Sequence, residues 1–125
     1  VTPALPGVDL LITDYSSLVF DAGLNGTPVL FLAPDVEDYA ARRGFYGSFD
    51  EIARGDVASS WADISERLGG ALTEGPERAR LADRSAARSA RVHAFRDGGN
   101  TARVHRAILN ATGAAMTDGR TRGRR

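Results

Sequence analysis

Residues 9–32 contain the pattern that most restricts how this 125-residue chain can fold. Two short segments, 9–13 and 29–32, are apolar without alternation, and a short helical pattern at about 17–25 separates them. Strands that are covered on both faces, as in parallel sheets, have such continuous apolar sequences. Because strand–helix–strand segments of this kind form right-handed parallel crossovers, these residues predict an α/β fold with a parallel sheet and flanking helices.

A polar turn, Asp14-Tyr15-Ser16-Ser17, joins the first strand to the helix. Ser16 or Ser17 is expected to cap the helix, and free backbone N–H groups at a helix start favour a bound anion such as phosphate. Asp21 follows Ser17 by four residues, where a carboxylate can accept hydrogen bonds from a sugar or glycerol hydroxyl. The alternative is a structural cap with nothing bound. The sequence contains neither a Walker A lysine nor a GxGxxG loop.

Residues 35–49 follow the second strand and are rich in aromatic residues, arginine and glycine. A short helical turn is expected over 36–42, with an irregular loop after it. The segment Arg42-Arg43-Gly44-Phe45-Tyr46 is a second candidate site, since glycine lets a ligand approach closely while arginine supplies positive charge. The alternative is a loop that its aromatic residues hold against the core. Loops at the carboxyl ends of parallel strands commonly bind ligands.

Three more helices are expected in the second half of the chain, which gives the fold a helical C-terminus. The first begins at a cap formed by Ser59 or Ser60, and four apolar residues share one face of it: Trp61, Ile64, Leu68 and Leu72. The second spans about 76–96 and has few apolar residues but many arginines. The third begins with Asn100 as its cap and ends near residue 111.

The charge of the chain is segregated, although its net value is zero. Residues 1–66 carry a balance of −8 and residues 67–125 a balance of +8, and all sixteen basic residues are arginines. One interpretation is a codon preference, with many of the arginines on solvated helix faces. The other is a basic half that meets phosphate, polymer or membrane surface. The absence of cysteine excludes disulfides and cysteine-ligated metals, and neither His93 nor His105 has a partner at metal-binding spacing.

Taken in order, these motifs resemble the CDP-glycerol glycerophosphotransferases, the teichoic acid primases and polymerases. Residues 9–17 followed by Phe20-Asp21 are similar to the strongest signature of that family. The later segments that match are Thr27-Pro28-Val29-Leu30-Phe31, Pro34-Asp35 with Tyr39, Arg43-Gly44-Phe45-Tyr46, and Asp97-Gly98-Gly99-Asn100-Thr101 with Arg103-Val104. The last of these resembles the family's DGN[ST] segment and has one extra glycine.

The resemblance implies the C-terminal, Rossmann-like half of a GT-B enzyme, which binds the nucleotide donor. That half would occupy residues 1–112, followed by a disordered, arginine-rich tail at 113–125. The reaction would transfer glycerol phosphate from CDP-glycerol to a wall teichoic acid-like polymer or a lipid-linked primer. It would take place at the cytoplasmic face of the membrane, with peripheral contact to it and with no metal, cofactor or nucleic acid.

By position, the serine pair would contact the phosphates of CDP-glycerol. The full set of substrate-binding candidates is Ser16, Ser17, Asp21, Asp14, Arg43 and Gly44. The family's catalytic histidines and a donor-binding arginine precede the strand that opens this chain, so no catalytic residue is expected here. We therefore expect a C-terminal piece of a longer protein that is inactive alone. The alternatives are the donor-binding half of another GT-B nucleotide-sugar transferase and an inactive phosphate-binding remnant.

Overall fold

Three parallel strands form the sheet, and the middle strand is buried on both faces. The computed structural model of the chain describes residues 2–113. Strands β1 (Leu11–Thr13), β2 (Val29–Leu32) and β3 (Val57–Ala58) lie in the order β1-β2-β3, with Leu11 opposite Val29 and Phe31 opposite Val57. The predicted α/β fold with a parallel sheet is confirmed. The sequence did not predict β3, because two residues are too few to show a pattern.

The side chains of β2 alternate between two apolar cores. Val29 and Phe31 pack with helices α1 (Leu18–Ala22) and α3 (Phe49–Ala53). Leu30 packs with Ile64 and Leu81, which belong to helices α4 (Trp61–Leu72) and α5 (Pro76–Val92). Because successive side chains of a strand point to opposite faces, a strand between two cores needs apolar residues at every position.

The first predicted elements are shorter in the structure than in the sequence pattern. The strand expected over 9–13 begins at Leu11, and the helix expected over 17–25 is helical only from Leu18 to Ala22. Hydrogen-bonded turns follow it as far as Gly26, whose φ of 68° suits glycine. Residues Thr2–Gly7 form a 3₁₀ helix. Helix α2 (Val36–Arg42) has the predicted limits.

Helix α4 has the predicted N-cap but a rotated apolar face. Ser60 accepts a hydrogen bond from the backbone N–H of Asp63, and the Asp63 carboxylate accepts one from the backbone N–H of Ser59. Ile64 and Ala71 are fully buried, whereas Trp61 is 65% exposed and Leu72 is 51% exposed. The predicted face was therefore wrong at both ends, because Ala71 takes the place given to Leu72 and turns the buried stripe away from Trp61.

Helix α5 ends at Val92 rather than at the predicted residue 96. Its buried residues are mostly polar: Leu81, Ser85, Arg88 and Ser89. This helix lies very close to the end of α1, where a Cβ atom on Gly23 would be 2.1 Å from the Ser85 carbonyl oxygen. The helix therefore packs by close backbone approach and buried polar groups, which explains why its apolar pattern is sparse.

Residues 94–113 belong to a second compact unit, and the described residues up to His93 belong to the first. There, Asp97 accepts hydrogen bonds from the Arg103 guanidinium and from the Gly99 N–H, and these hold the pKa of Asp97 below its usual value. Arg103 also lies 4.0 Å from the centre of the Phe95 ring. The Asp97–Gly99 turn thus braces the start of helix α6 (Asn100–Thr112).

Asn100, predicted to be the cap of α6, is its first residue, and Gly99 occupies the cap position. The predicted tail lies outside the described residues from residue 114 onward, and the limits of the domain predicted over 1–112 stay a prediction. Within residues 2–113, no helix combines the length and the apolar character needed to cross a membrane.

The close approach of α1 to α5 can be tested with Gly23→Ala. We expect this variant to lower the free energy of unfolding by about 1–3 kcal/mol, because a methyl group would collide with the Ser85 carbonyl and with Cβ of Ser89, 2.6 Å away. The measurement is urea denaturation followed by circular dichroism. Gly69→Ala is the matched control, since this glycine lies within α4 and has open space around it. That variant should raise stability by about 0.5–1 kcal/mol; equal effects would contradict the packing.

Candidate functional site

A cavity of about 760 Å³ lies beyond the carboxyl end of β1. Most of its lining comes from the turn 14–17, the loop 43–49 and the last turns of α5 at Arg88, Arg91 and Val92, and residues of α1, α2, β2 and α3 complete it. The carboxyl edge of a parallel sheet is where α/β folds bind ligands, and this volume suits a small-molecule site. The two candidate segments of the sequence therefore meet at one place.

Five of the six predicted site residues line this cavity: Asp14, Ser16, Ser17, Arg43 and Gly44. Asp21 does not line it; instead its carboxylate lies 3.5 Å from Nε2 of His93. The role of all six in substrate binding stays a prediction. Among the described residues, no group of three or more His, Cys, Asp or Glu side chains is arranged to hold a metal ion.

The two serines differ in what they bond. The Ser16 hydroxyl accepts a hydrogen bond from the backbone N–H of Leu18, 3.2 Å away, and so closes the turn. Ser17 occupies the N-cap position of α1, but its exposed hydroxyl makes no hydrogen bond within the described part of the chain. Because α1 has only five residues, its dipole is small, so an anion at this turn would depend more on the Ser17 hydroxyl than on the helix dipole.

Stacked aromatic rings hold the 43–49 loop against the core. Tyr15 stacks on Tyr39 at 4.0 Å, Tyr39 on Phe45 at 5.3 Å, and Phe45 on Phe49 at 5.4 Å. Burial and a 2.7 Å hydrogen bond to Asp35 raise the pKa of Tyr15, so its phenol stays a neutral donor. The aromatic residues therefore hold this loop against the core, as in the alternative interpretation, and the same loop also forms a wall of the cavity.

The loop still presents open and exposed groups at the cavity. Gly44 has a φ of 69°, which favours glycine, and no atom lies within 4 Å of where its Cβ would be. Tyr46, next but one, is fully exposed. No described residue forms an ion pair with Arg43. Its guanidinium is therefore available to an anionic ligand.

The buried carboxylate of Asp56 gathers three arginines from successive turns of α5. Its Oδ1 accepts hydrogen bonds from Arg80 (2.8 Å) and Arg84 (2.7 Å), and its Oδ2 accepts one from Arg88 (2.9 Å). Arg88 is only 2% exposed and also donates to the carbonyl oxygen of Ile52 at 2.6 Å. Arg88 is therefore not one of the arginines on a solvated helix face.

Sequence reasoning missed Arg88 and Arg91 as cavity residues. The pattern offered one signal, the four-residue spacing of Arg80, Arg84 and Arg88 on a helix with few apolar residues. That spacing puts the three side chains on one face. It does not identify Asp56 as their partner, because Asp56 directly precedes β3, a strand that the sequence did not predict.

The chain matches the family model for CDP-Glycerol:Poly(glycerophosphate) glycerophosphotransferase over residues 1–110. It belongs to this family. The family resemblance inferred from the sequence motifs is thereby confirmed, and the family consists of transferases of teichoic acid biosynthesis.

Individual relatives match the chain over about half of its length. It is 45% identical over 62 residues to a teichoic acid poly(glycerol phosphate) polymerase of Bacillus spizizenii, which covers 48% of the chain and 16% of that protein. It is 38% identical over 60 residues to the teichoic acid ribitol-phosphate polymerase TarK of Staphylococcus aureus, covering 48% of the chain and 12% of TarK. A Bacillus subtilis poly(glycerol phosphate) polymerase is 43% identical over 61 residues, 48% of the chain and 8% of that polymerase. The chain thus matches only a small part of each relative.

The importance of Asp56 for the walls of the cavity can be tested with Asp56→Asn. Loss of the carboxylate leaves three arginines without their shared acceptor, and we expect the free energy of unfolding to fall by about 3–5 kcal/mol. Urea denaturation measures this. Glu51→Gln is the control, because its pair with Arg91 is exposed and 3.7 Å long; it should cost less than about 1 kcal/mol. Similar small losses in both variants would contradict a structural role for Asp56.

Proposed function

We propose that this chain is the donor-binding part of a teichoic acid polyol-phosphate transferase, and that it forms the C-terminal half of a GT-B enzyme. The proposed donor is CDP-glycerol, and the proposed acceptor is the hydroxyl end of a polyol-phosphate polymer or a lipid-linked primer. The main support is one observation: in this chain, a member of the family, Ser17, Arg43 and Gly44 line a single cavity at the carboxyl edge of the sheet.

The groups on the cavity wall suit a nucleoside diphosphate. The Ser17 hydroxyl and the N–H groups of the turn would donate to phosphate oxygens, and Arg43 would add a charged, forked donor. The aromatic wall at Phe45 and Tyr46 offers ring faces for the nucleoside. Asp21, one helical turn beyond Ser17, lies beside His93 outside this cavity, so we assign it no contact with the donor in this arrangement.

The proposed reaction is a displacement at phosphorus. The acceptor hydroxyl forms a bond to the phosphorus that carries glycerol, the bond from that phosphorus to the bridging oxygen breaks, and CMP leaves with that oxygen. The proton of the acceptor hydroxyl passes to a base that we expect outside this chain. Such reactions depend on positioning and charge stabilisation, which Ser17 and Arg43 are placed to supply.

The identity of the polyol is left open between glycerol and ribitol, because the relatives include polymerases named for each. We further propose that the enzyme works at the cytoplasmic face of the membrane as a peripheral protein, where a lipid-linked acceptor is available. A rival proposal is the donor-binding half of another nucleotide-sugar transferase, and a second is an inactive phosphate-binding remnant.

Isothermal titration calorimetry can separate these proposals. We expect the chain to bind CDP-glycerol, or its ribitol counterpart, at least about tenfold more tightly than a UDP-sugar. Ser17→Ala should weaken binding about three- to tenfold, since it removes one hydrogen bond to a phosphate. Ser65→Ala is the matched control, because Ser65 lies on α4 and does not line the cavity. Equal affinity for UDP-sugars would favour the first rival, and binding of phosphate without either nucleotide would favour the second.

Turnover by the chain alone is a separate test. We expect no release of CMP from CDP-glycerol when the 125-residue chain is mixed with a polyol-phosphate acceptor, because no catalytic base is assigned within it. The assay follows CMP by chromatography over several hours. Transfer of glycerol phosphate by the chain alone would refute the assignment of the base to another part of the enzyme.

A further inference from the structure

The guanidinium of Arg88 is a buried cation in the wall of the cavity. Its Nε donates to the Ile52 carbonyl oxygen and its Nη2 to the Asp56 carboxylate. Its Nη1 is buried and has no hydrogen-bond partner in the structure. One face of the group lies over the Phe31 ring, with 5.1 Å between Cζ and the ring centre. Three sides of this side chain are therefore fixed, and one nitrogen with two N–H groups is left over.

The charges around Arg88 do not balance. Arg80, Arg84 and Arg88 share Asp56, and Arg80 also pairs with Glu77, so three cations face two carboxylates. Burial lowers the pKa of Arg88 more strongly than the charge of Asp56 raises it, and the neighbouring Arg84 lowers it further. An incompletely compensated cation in a buried position is costly. An anion in the adjoining cavity would offset that cost.

We infer that Arg88 binds a phosphate group of the ligand at the wall of this cavity, with Nη1 as the donor. The inference rests on the proposed function for the source of the phosphate, which is the diphosphate of the nucleotide donor. A side-chain adjustment of the kind that is common on binding would bring Nη1 to the cavity surface. Because this position is shielded from water, its charge acts on an anion with little screening.

Arg88 differs from the other arginines nearby in a way that allows a test. Arg84 also donates to Asp56 but does not line the cavity, whereas Arg91 lines the cavity but pairs with the exposed Glu51. Only Arg88, among the arginines that share Asp56 in the described structure, is part of the cavity wall. Arg84→Gln is therefore a matched control for Arg88→Gln, since each removes one donor from the same carboxylate.

The first experiment titrates inorganic pyrophosphate, and separately CDP-glycerol, into the wild-type chain and the two variants by calorimetry. We expect Arg88→Gln to weaken binding of both ligands at least about tenfold, as for the loss of a charge-assisted hydrogen bond. Arg84→Gln should change it less than about threefold. Circular dichroism establishes that each variant is folded. Unchanged affinity in folded Arg88→Gln, or equal losses in both variants, would overturn the inference.

A second measurement uses the unmodified chain, and it decides the question if Arg88→Gln does not fold. In ¹H–¹⁵N spectra of the arginine side chains, the Nε–H signal of Arg88 should shift and saturate with pyrophosphate, while that of Arg84 should move little. No saturable shift of the Arg88 signal would overturn the inference. The chain could instead show the Arg88 shift with pyrophosphate but no preference for CDP-glycerol over a UDP-sugar. That result would refute the proposed function alone.

Discussion

A single buried carboxylate, that of Asp56, connects three parts of the fold. Its side chain accepts hydrogen bonds from three arginines of α5, and its backbone carbonyl accepts one from the N–H of Phe31 in β2. Its own N–H donates to Ala53 at the end of α3. One residue thus fixes the long helix against the sheet. The cost of burying its charge is offset because each donor is itself charged.

The position of α5 depends on its hydrogen bonds to Asp56, because the helix has few apolar residues that pack against the rest of the fold. Leu81 alone among its larger apolar residues is fully buried, and the rest of its inner face consists of Ser85, Arg88 and Ser89. Small serines and the absence of a side chain at Gly23 let α1 and α5 approach closely. The arginine needed to bind Asp56 is thereby brought beside the cavity, so the residue that secures the fold also lines the candidate site.

The parts of the fold that the sequence predicted are those with local patterns. The βαβ unit at 9–32 and the helices beginning at Trp61 and Pro76 follow from continuous apolar strands, a serine cap and an N-terminal proline. The meeting of the 14–17 turn with the 43–49 loop could be anticipated, because both follow carboxyl ends of parallel strands. By contrast, α3, β3 and the Asp56 cluster depend on contacts between residues distant in sequence, and no local periodicity reports them.

Asp21 and Arg88 show the same limit within the candidate site. Four-residue spacing places Asp21 near Ser17 along the helix, but spacing does not determine whether a side chain faces the cavity or, as here, His93. Arg88 is the converse case. A helix with few apolar residues and many arginines is typical of a solvated face, whereas Asp56 and Phe31 hold the Arg88 side chain in the interior. A helix face that is poor in apolar residues can still be buried when charged partners come from elsewhere.

These contacts give a structural reason for the segregation of charge along the chain. Arginines of the basic half pair with carboxylates of the acidic half, as in Arg78 with Asp9 and Arg91 with Glu51, besides the cluster at Asp56. Many of the oppositely charged side chains therefore pair with one another inside the first unit. Arginine suits this role better than lysine, since its forked group bonds a carboxylate and a carbonyl at once, as Arg88 does. Two arginines lie at the cavity, where we propose that a phosphate binds: Arg43, which has no ion pair among the described residues, and Arg88, whose carboxylate partner is shared with two other arginines.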